Sequence, residues 1–297
     1  MAELSIVIPT YNRKEMLRRL IKSLGDSNFK DFEIIVVDDC STDGTSAMIK
    51  NEFSDVKFIQ HDTVELVGKS RNDGIIASRT NFVLMIDDDN VVDKDTIGVL
   101  MEYVNKYPDF AVIAPVTCFY DKPEIIMYAG TRYKKISKMT VPLYHNKIKS
   151  AFTDLRIEAD GFPNCYLLRK DLAISVGLTS EKIPFGGEDG FLQYKIKMQG
   201  RNLYCINHSY VYHDTPELKK LLRVSPFRLY YFMRGKITFA KELYNAKELF
   251  LFSFFVPIYF TWYLLRGFSG KSKISCFRAV FCGALDALFN KYDKRYL

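Results

Sequence analysis

Phe82-Val83-Leu84-Met85-Ile86-Asp87-Asp88-Asp89 is five apolar residues followed by three carboxylates. A short apolar run reads as a buried strand. Carboxylates at its C-terminal edge stand where open α/β sheets bind their ligands. Three adjacent like charges disfavour one another, and a cation offsets that cost. One reading is a divalent metal holding a phosphate. The other is a solvated turn, with Asn90 or Asp93 capping the next helix.

Working outward, Leu4-Ser5-Ile6-Val7-Ile8 is a β-branched run ending at Pro9, and Phe32-Glu33-Ile34-Ile35-Val36-Val37 is a second run that also ends in carboxylates, Asp38 and Asp39. Asn12 is placed to cap a helix with apolar positions Leu17, Leu20, Ile21 and Leu24. Ser41-Thr42-Asp43 opens a helix to about Phe53, Val56–Ile59 is a third strand, and a helix from about Gly68 to Ser78 leads back to the acidic strand. This alternation predicts a doubly wound, mostly parallel sheet with helices on both faces. After Pro108 come a strand at Ala111–Ala114, short β-like segments from 117 to 165, a helix from Glu188 to Gln199, and short strands Leu203–Ile206 and Tyr210–Tyr212 near His213.

The chain has 297 residues, enough for one large domain or two small ones. Its six cysteines show no CxxC pair, and no signal peptide is visible, which fits reduced thiols in the cytoplasm. The formal charge of +7 is uneven: residues 1–216 carry −3 and residues 217–297 carry +10. The division expected is therefore a body of residues 1–216, in a first half (1–107) and a second half (108–216), followed by a basic hydrophobic helical tail (217–297).

Ser225-Pro226 marks a helix start. Leu249 to Leu265 is a run of 17 uncharged residues, about 26 Å as a helix and short of a hydrocarbon core of roughly 30 Å. Pro257 should kink it. Ile274, Phe277, Phe281, Leu285 and Leu288 form a stripe, with Asp286 off it, Arg278 at its edge, and Lys271, Lys273, Lys291, Lys294 and Arg295 alongside. An interfacial or re-entrant membrane anchor fits better than a span. The other reading is a pair of helices packing on the body or on a second subunit. An uncharged Phe/Leu run excludes nucleic acid as partner.

Five motifs then occur in order: Ile6-Val7-Ile8-Pro9-Thr10-Tyr11-Asn12-Arg13, Val37-Asp38-Asp39-Cys40-Ser41-Thr42-Asp43-Gly44, Ser70-Arg71-Asn72-Asp73-Gly74, Asp87-Asp88-Asp89, and Gly186-Gly187-Glu188-Asp189. Over residues 1–215 the chain resembles family 2 glycosyltransferases of the GT-A fold. The resemblance implies inverting, metal-dependent transfer of one sugar from a nucleotide-diphosphate sugar. It implies that Pro9, Tyr11, Asp39, Arg71 and Asp88 bind the nucleotide sugar, with Asp39 at the base and Asp88 at the ribose. Asp89 would hold Mn²⁺ or Mg²⁺, joined by His213 as a further metal or phosphate ligand. Asp189 would be the general base and Glu188 would bind acceptor. His61, His145 and His208 carry no motif and read as structural.

There is no Gln-x-x-Arg-Trp segment, and Trp262 is the single tryptophan, which disfavours processive polymer synthesis. The segment Arg228–Arg234 loosely resembles the tails of rhamnosyltransferase-like envelope-glycan transferases. The expected acceptor is a lipid-linked or cell-envelope glycan, and the expected location is the cytoplasmic face of the cell membrane, peripheral or monotopic. Two alternatives stand beside this reading. A sugar nucleotidyltransferase would need a Gly-rich loop and a lysine after the first strand, which Pro9–Arg13 does not supply. A non-catalytic membrane-bound scaffold would be supported by loss of Asp89 or Asp189, and both are present.

Overall fold

The computed structural model describes residues 3–107, 109–134, 140–214, 225–267 and 273–294. Strands and helices alternate first: β1 (Leu4–Thr10), α1 (Lys14–Gly25), β2 (Phe32–Asp38), α2 (Thr45–Glu52), β3 (Lys57–Gln60), α3 (Val67–Ala77) and β4 (Phe82–Ile86). Every residue of β1 is buried, as a strand covered on both faces requires. α1 buries Leu17, Leu20, Ile21 and Leu24 at helical spacing. Each such side chain contributes roughly 1.5–3 kcal/mol on leaving water.

Next come β5 (Asn90–Val92), α4 (Thr96–Lys106), β6 (Val112–Phe119), β7 (Lys122–Tyr128), β8 (Thr131–Tyr133), β9 (Thr140–Pro142), β10 (Arg156–Ala159), β11 (Cys165–Arg169), α5 (Lys170–Ser175), α6 (Glu188–Met198) and β12 (Leu203–His213). The main sheet runs β10-β12-β6-β11-β4-β1-β2-β3, with β5 on β12 and β7 on β6. β1 lies between β2 and β4, parallel to both. The three C-terminal edges therefore meet in one crevice, with β1 between the two acidic ends.

The sheet is mixed rather than mostly parallel. β11 runs antiparallel to both β4 and β6, because no crossover helix precedes it. The two short strands expected near His213 are one strand, β12, whose register against β6 shifts between Ile206 and Tyr210. Asn12 does not cap α1. Its side-chain oxygen accepts from the Thr42 amide at 2.8 Å, and Asp43 Oδ2 accepts from the Lys14 amide at 2.9 Å instead. Neither Asn90 nor Asp93 caps α4, whose N-cap residue is Asp95.

The tail folds as α7 (Pro226–Leu243), α8 (Ala246–Ser253), α9 (Val256–Gly267) and α10 (Lys273–Leu288). Ser225 caps α7 as expected. Asn245 and Glu248 form a capping box that starts α8 ahead of the apolar run, and the run itself divides into two helices between Ser253 and Val256. Pro257 sits in the first turn of α9, where its missing N–H is not needed. Among the described residues no helix is long and apolar enough to cross a membrane.

α7 is no detached anchor. Leu229, Tyr230, Tyr231, Met233 and Ile237 share a buried cluster with Leu66, Ile183 and Phe191 of the body and with Ala279 and Val280 of α10. Gly283 lets α10 approach closely, since a Cβ there would lie 2.4 Å from the Tyr230 carbonyl oxygen. Asp286 is buried in this contact and accepts a 2.7 Å bond from Tyr230 OH. The predicted apolar stripe faces the other way: Ile274, Phe277, Phe281 and Leu288 are exposed, beside Phe250, Phe254, Ile258, Trp262 and Leu265. Lys271, Arg295 and the 216/217 boundary lie outside the described residues.

Candidate active site

At the crevice, Asp88 is buried and its Oδ2 accepts from Thr10 Oγ1 at 2.8 Å. Arg13 Nη1 bridges Asp88 Oδ1 at 3.0 Å and Asp89 Oδ2 at 2.9 Å. The acidic edge is thus not a solvated turn. Part of its charge is met by an arginine that the opening motif contained but that had been given no role. Burial pushes the Asp88 carboxyl up to about 7, against the opposing pull of Arg13. Behind the edge, Asn164 accepts from the Asp87 amide through its carbonyl at 2.8 Å and donates to Asn90 Oδ1 at 2.5 Å, which fixes the turn.

β12 delivers His213 to the same edge, with Nε2 at 3.1 Å from Asp89 Oδ1. Burial alone would lower the His213 pKa, but the Asp89 carboxylate raises it. His213 Nδ1 is buried without a hydrogen-bond partner, and buried Asp89 Oδ1 is met by His213 Nε2 with lone-pair capacity to spare. Orphaned polar atoms of this kind call for an absent partner. A carboxylate oxygen and an imidazole nitrogen fit a divalent cation of the Mn²⁺ type. Among the described residues no group of three or more His, Cys, Asp or Glu gathers as a metal cage. The pair therefore suits an ion that takes its remaining ligands from substrate phosphates and water.

Asp39 is buried at the end of β2. Its carboxylate accepts from the Glu65 amide (2.7 Å) and the Leu66 amide (2.8 Å) and meets His61 Nδ1 at 2.9 Å. Three of about four lone-pair sites are used, so one is left for a ligand. His61 also contacts Asp73 at 3.0 Å, and so pins the 61–66 loop as a structural residue. Pro9 is buried in β1, paired with Val37, while Tyr11 projects from the strand end with 47% exposure.

Arg71 lies deeper than its assignment to the nucleotide implies. It is buried, and its guanidinium binds Glu188 Oε1 (2.5 Å), Asp87 Oδ1 (2.5 Å) and Asp189 Oδ1. One cation thus ties the Gly-Gly-Glu-Asp motif to the acidic strand. Tyr166 OH donates to Asp189 Oδ1 at 2.6 Å, a contact the sequence did not signal. Both partners hold Oδ1, which leaves Oδ2 for an acceptor. Burial pushes the Asp189 carboxyl up to about 7, with Arg71 pulling the other way.

Asp189 lines a cleft of about 290 Å³ together with Thr131, Tyr133, Gly161 and Phe162 of the body and Phe232, Gly235, Lys236, Phe239 and Tyr263 of the tail. The tail is therefore a wall of the site. Gly186, at φ +76°, sits where a Cβ would fall 2.2 Å from the Phe232 ring. Only glycine tolerates both that backbone and that contact.

Residues 5–174 match the family model described as "Glycosyl transferase family 2". The chain belongs to that family. The family is one of glycosyltransferases and not of sugar nucleotidyltransferases. It is 34% identical over 110 residues to a GalNAc(5)-diNAcBac-PP-undecaprenol beta-1,3-glucosyltransferase of Campylobacter jejuni, covering 36% of each chain. The matched part is thus about a third of that relative's length. Among solved structures it is similar to residues 1–349 of Staphylococcus aureus TarS in complex with UDP (TM-score 0.57, 19% identity, 99% of this chain and 93% of that one). It is also similar to GalNAc-T7 with UDP, GalNAc and Mn²⁺ (TM-score 0.62, 17% identity, 81% of this chain and 50% of that one). At these identities the structural likeness speaks for the GT-A-type fold.

Proposed function

We propose that the protein transfers one sugar, with inversion, from a nucleotide-diphosphate sugar to a hydroxyl of a lipid-linked or cell-envelope glycan. The observation that carries this is the Arg71 clamp. It fixes Asp189 to Asp87, so the candidate base stands one side chain from the acidic edge. Tyr11, Asp39 and Asp88 bound the nucleoside side of the crevice. A divalent cation held by Asp89 and His213 would supply charge neutralisation for the departing diphosphate. Asp189 takes the acceptor proton through Oδ2, and its raised pKa suits a base working near neutral pH. Glu188 is held by Arg71 and by the Gly187 amide (3.0 Å), so it positions the clamp and the acceptor-side loop.

The exposed apolar side chains of α8, α9 and α10, with Lys247, Lys273 and Arg278 exposed among them, support attachment to an anionic bilayer surface, taken here as the cytoplasmic leaflet. The activity of the Campylobacter relative, on an undecaprenol-diphosphate glycan, supports an acceptor presented at a membrane. The test is nucleotide-sugar hydrolysis and thermal stabilisation by a panel of nucleotide sugars with Mn²⁺, since a ligand of the native state raises its melting temperature. Absence of both across UDP-, GDP- and dTDP-sugars would overturn the proposal.

A further inference from the structure

Leu66 stands in a backbone conformation, φ +72° and ψ 162°, that is essentially reserved for glycine. It is also one of two consecutive residues, Glu65 and Leu66, whose amides hold the two oxygens of Asp39 at 2.7 and 2.8 Å. Strain of this kind persists only where the surroundings over-determine the backbone.

Much of that surrounding comes from the far end of the chain. The Leu66 side chain is buried in the cluster that also holds Leu229 and Met233 of α7 and Ala279 of α10. Past the end of α10, Lys241 Nζ of α7 donates to Asn290 Oδ1 at 2.8 Å. Arg234, buried on the same helix, donates through Nη1 to the Asp293 carbonyl at 2.9 Å and lies 5.9 Å from the Tyr292 ring. Lys294 follows, donating to the Val64 carbonyl at 3.1 Å and pairing with Glu65 Oε2. Residues 290–294 thus connect α7 to the turn that grips Asp39.

We propose that residues 290–294 are a strap that sets nucleoside affinity, with Lys294 as a positioning residue. By tying down the 64–66 turn, the strap keeps both amides on Asp39 and so fixes the carboxylate that meets the base. This deepens the proposed function and rests on the reading of Asp39 as a nucleoside contact. Lys294 touches no ligand; it acts through Val64 and Glu65. The side chains of the Lys294–Glu65 pair are 36% and 31% exposed, so deleting one partner costs little and reversing a charge is the sharper probe.

Calorimetry on the full chain with UDP, GDP and dTDP in Mn²⁺ tests this with three variants: Lys294→Glu, Glu65→Lys and the exchanged pair carrying both. Each single reversal should weaken the nucleotide that the wild type binds best by about threefold or more, and the exchanged pair should recover most of the loss. A bulk field predicts otherwise, since a lysine added near an anionic ligand tightens binding. Amide hydrogen exchange without nucleotide gives a second readout. The Glu65 and Leu66 amides should exchange faster in both single variants and return to the wild-type rate in the exchanged pair. Tighter binding by Glu65→Lys, no recovery in the exchanged pair, or unchanged exchange at Glu65 and Leu66 overturns the strap. Binding of none of the three nucleotides by the wild type overturns the reading of Asp39 and the affinity claim with it, whereas a strap that fails on its own leaves wild-type nucleotide binding in place.

Discussion

Replacing Arg71 with methionine should destabilise the protein in a pH-dependent way. Arg71 is buried and binds three carboxylates, Asp87, Glu188 and Asp189. Methionine fills a similar volume but leaves those carboxylates facing one another without a counter-charge. Removing one partner of a buried ion pair costs about 3–5 kcal/mol. For a chain of this size that is a fall in melting temperature of roughly 6–15 °C. The sign with pH follows from Asp189. Its carboxyl already stands at about 7 in the folded protein, with Arg71 among the groups lowering it. Without Arg71 it rises further, while in the unfolded chain it returns to about 3.9. The variant's folded state then binds more protons than its unfolded state, so its stability falls as pH rises. The deficit relative to wild type should be largest near pH 8 and shrink toward pH 5.5, where Asp189 is protonated in both proteins. Urea unfolding of both at the two pH values measures this. A deficit under about 1 kcal/mol at pH 8, or one that does not change with pH, would falsify the clamp.

Asp189→Asn should leave donor binding nearly intact while lowering turnover about 10²-fold or more, as stopped-flow or coupled release of nucleoside diphosphate would show; parallel loss of donor affinity would make Asp189 a binding residue. In the wild type, activity should fall as pH drops below about 7, because the Asp189 carboxyl must be ionised to accept a proton; a flat profile from pH 5.5 to 8 would remove it as base. His213→Ala and Asp89→Ala should each abolish the Mn²⁺-dependent part of nucleoside diphosphate binding, and unchanged metal dependence in calorimetry would sink that assignment. For the membrane face, Phe250, Phe254 and Trp262 changed together to serine should prevent flotation with anionic liposomes without lowering the melting temperature, since all three are exposed; flotation equal to wild type would place the contact elsewhere.

The donor half was legible because its signals are local. Apolar runs ending in carboxylates specify strands and crevice edge together, and β1, β2 and β4 lie where Leu4–Ile8, Phe32–Val37 and Phe82–Ile86 put them. What the sequence hid depends on contacts across the chain. The motif around Arg71 does not show that Glu188 and Asp189, more than a hundred residues later, share its Nη1 while Asp87 takes Nη2. Tyr166 had no marker, since nothing in β11 distinguishes its hydroxyl. The stripe on α10 was legible and stays exposed; what the sequence did not mark is the opposite face, where the small residues Ala279, Gly283 and Ala287 let α7 pack closely. Lys236 could have been noticed as the lone charge between Gly235 and Ile237, but only the fold of α7 over Gly186 brings it to a cleft.

The family model stops at residue 174, while Asp189, His213, Phe232 and Lys236 all come after it. The matched portion of the chain therefore holds the crevice between β1, β2 and β4 and one wall of the cleft, and the portion after it holds the base and the facing wall. A chimaera that swaps acceptor preference between two such proteins should exchange everything from Gly186 through α10 as one block. A junction between β12 and α7 would part Gly186 from Phe232 and split the wall that the two halves build together.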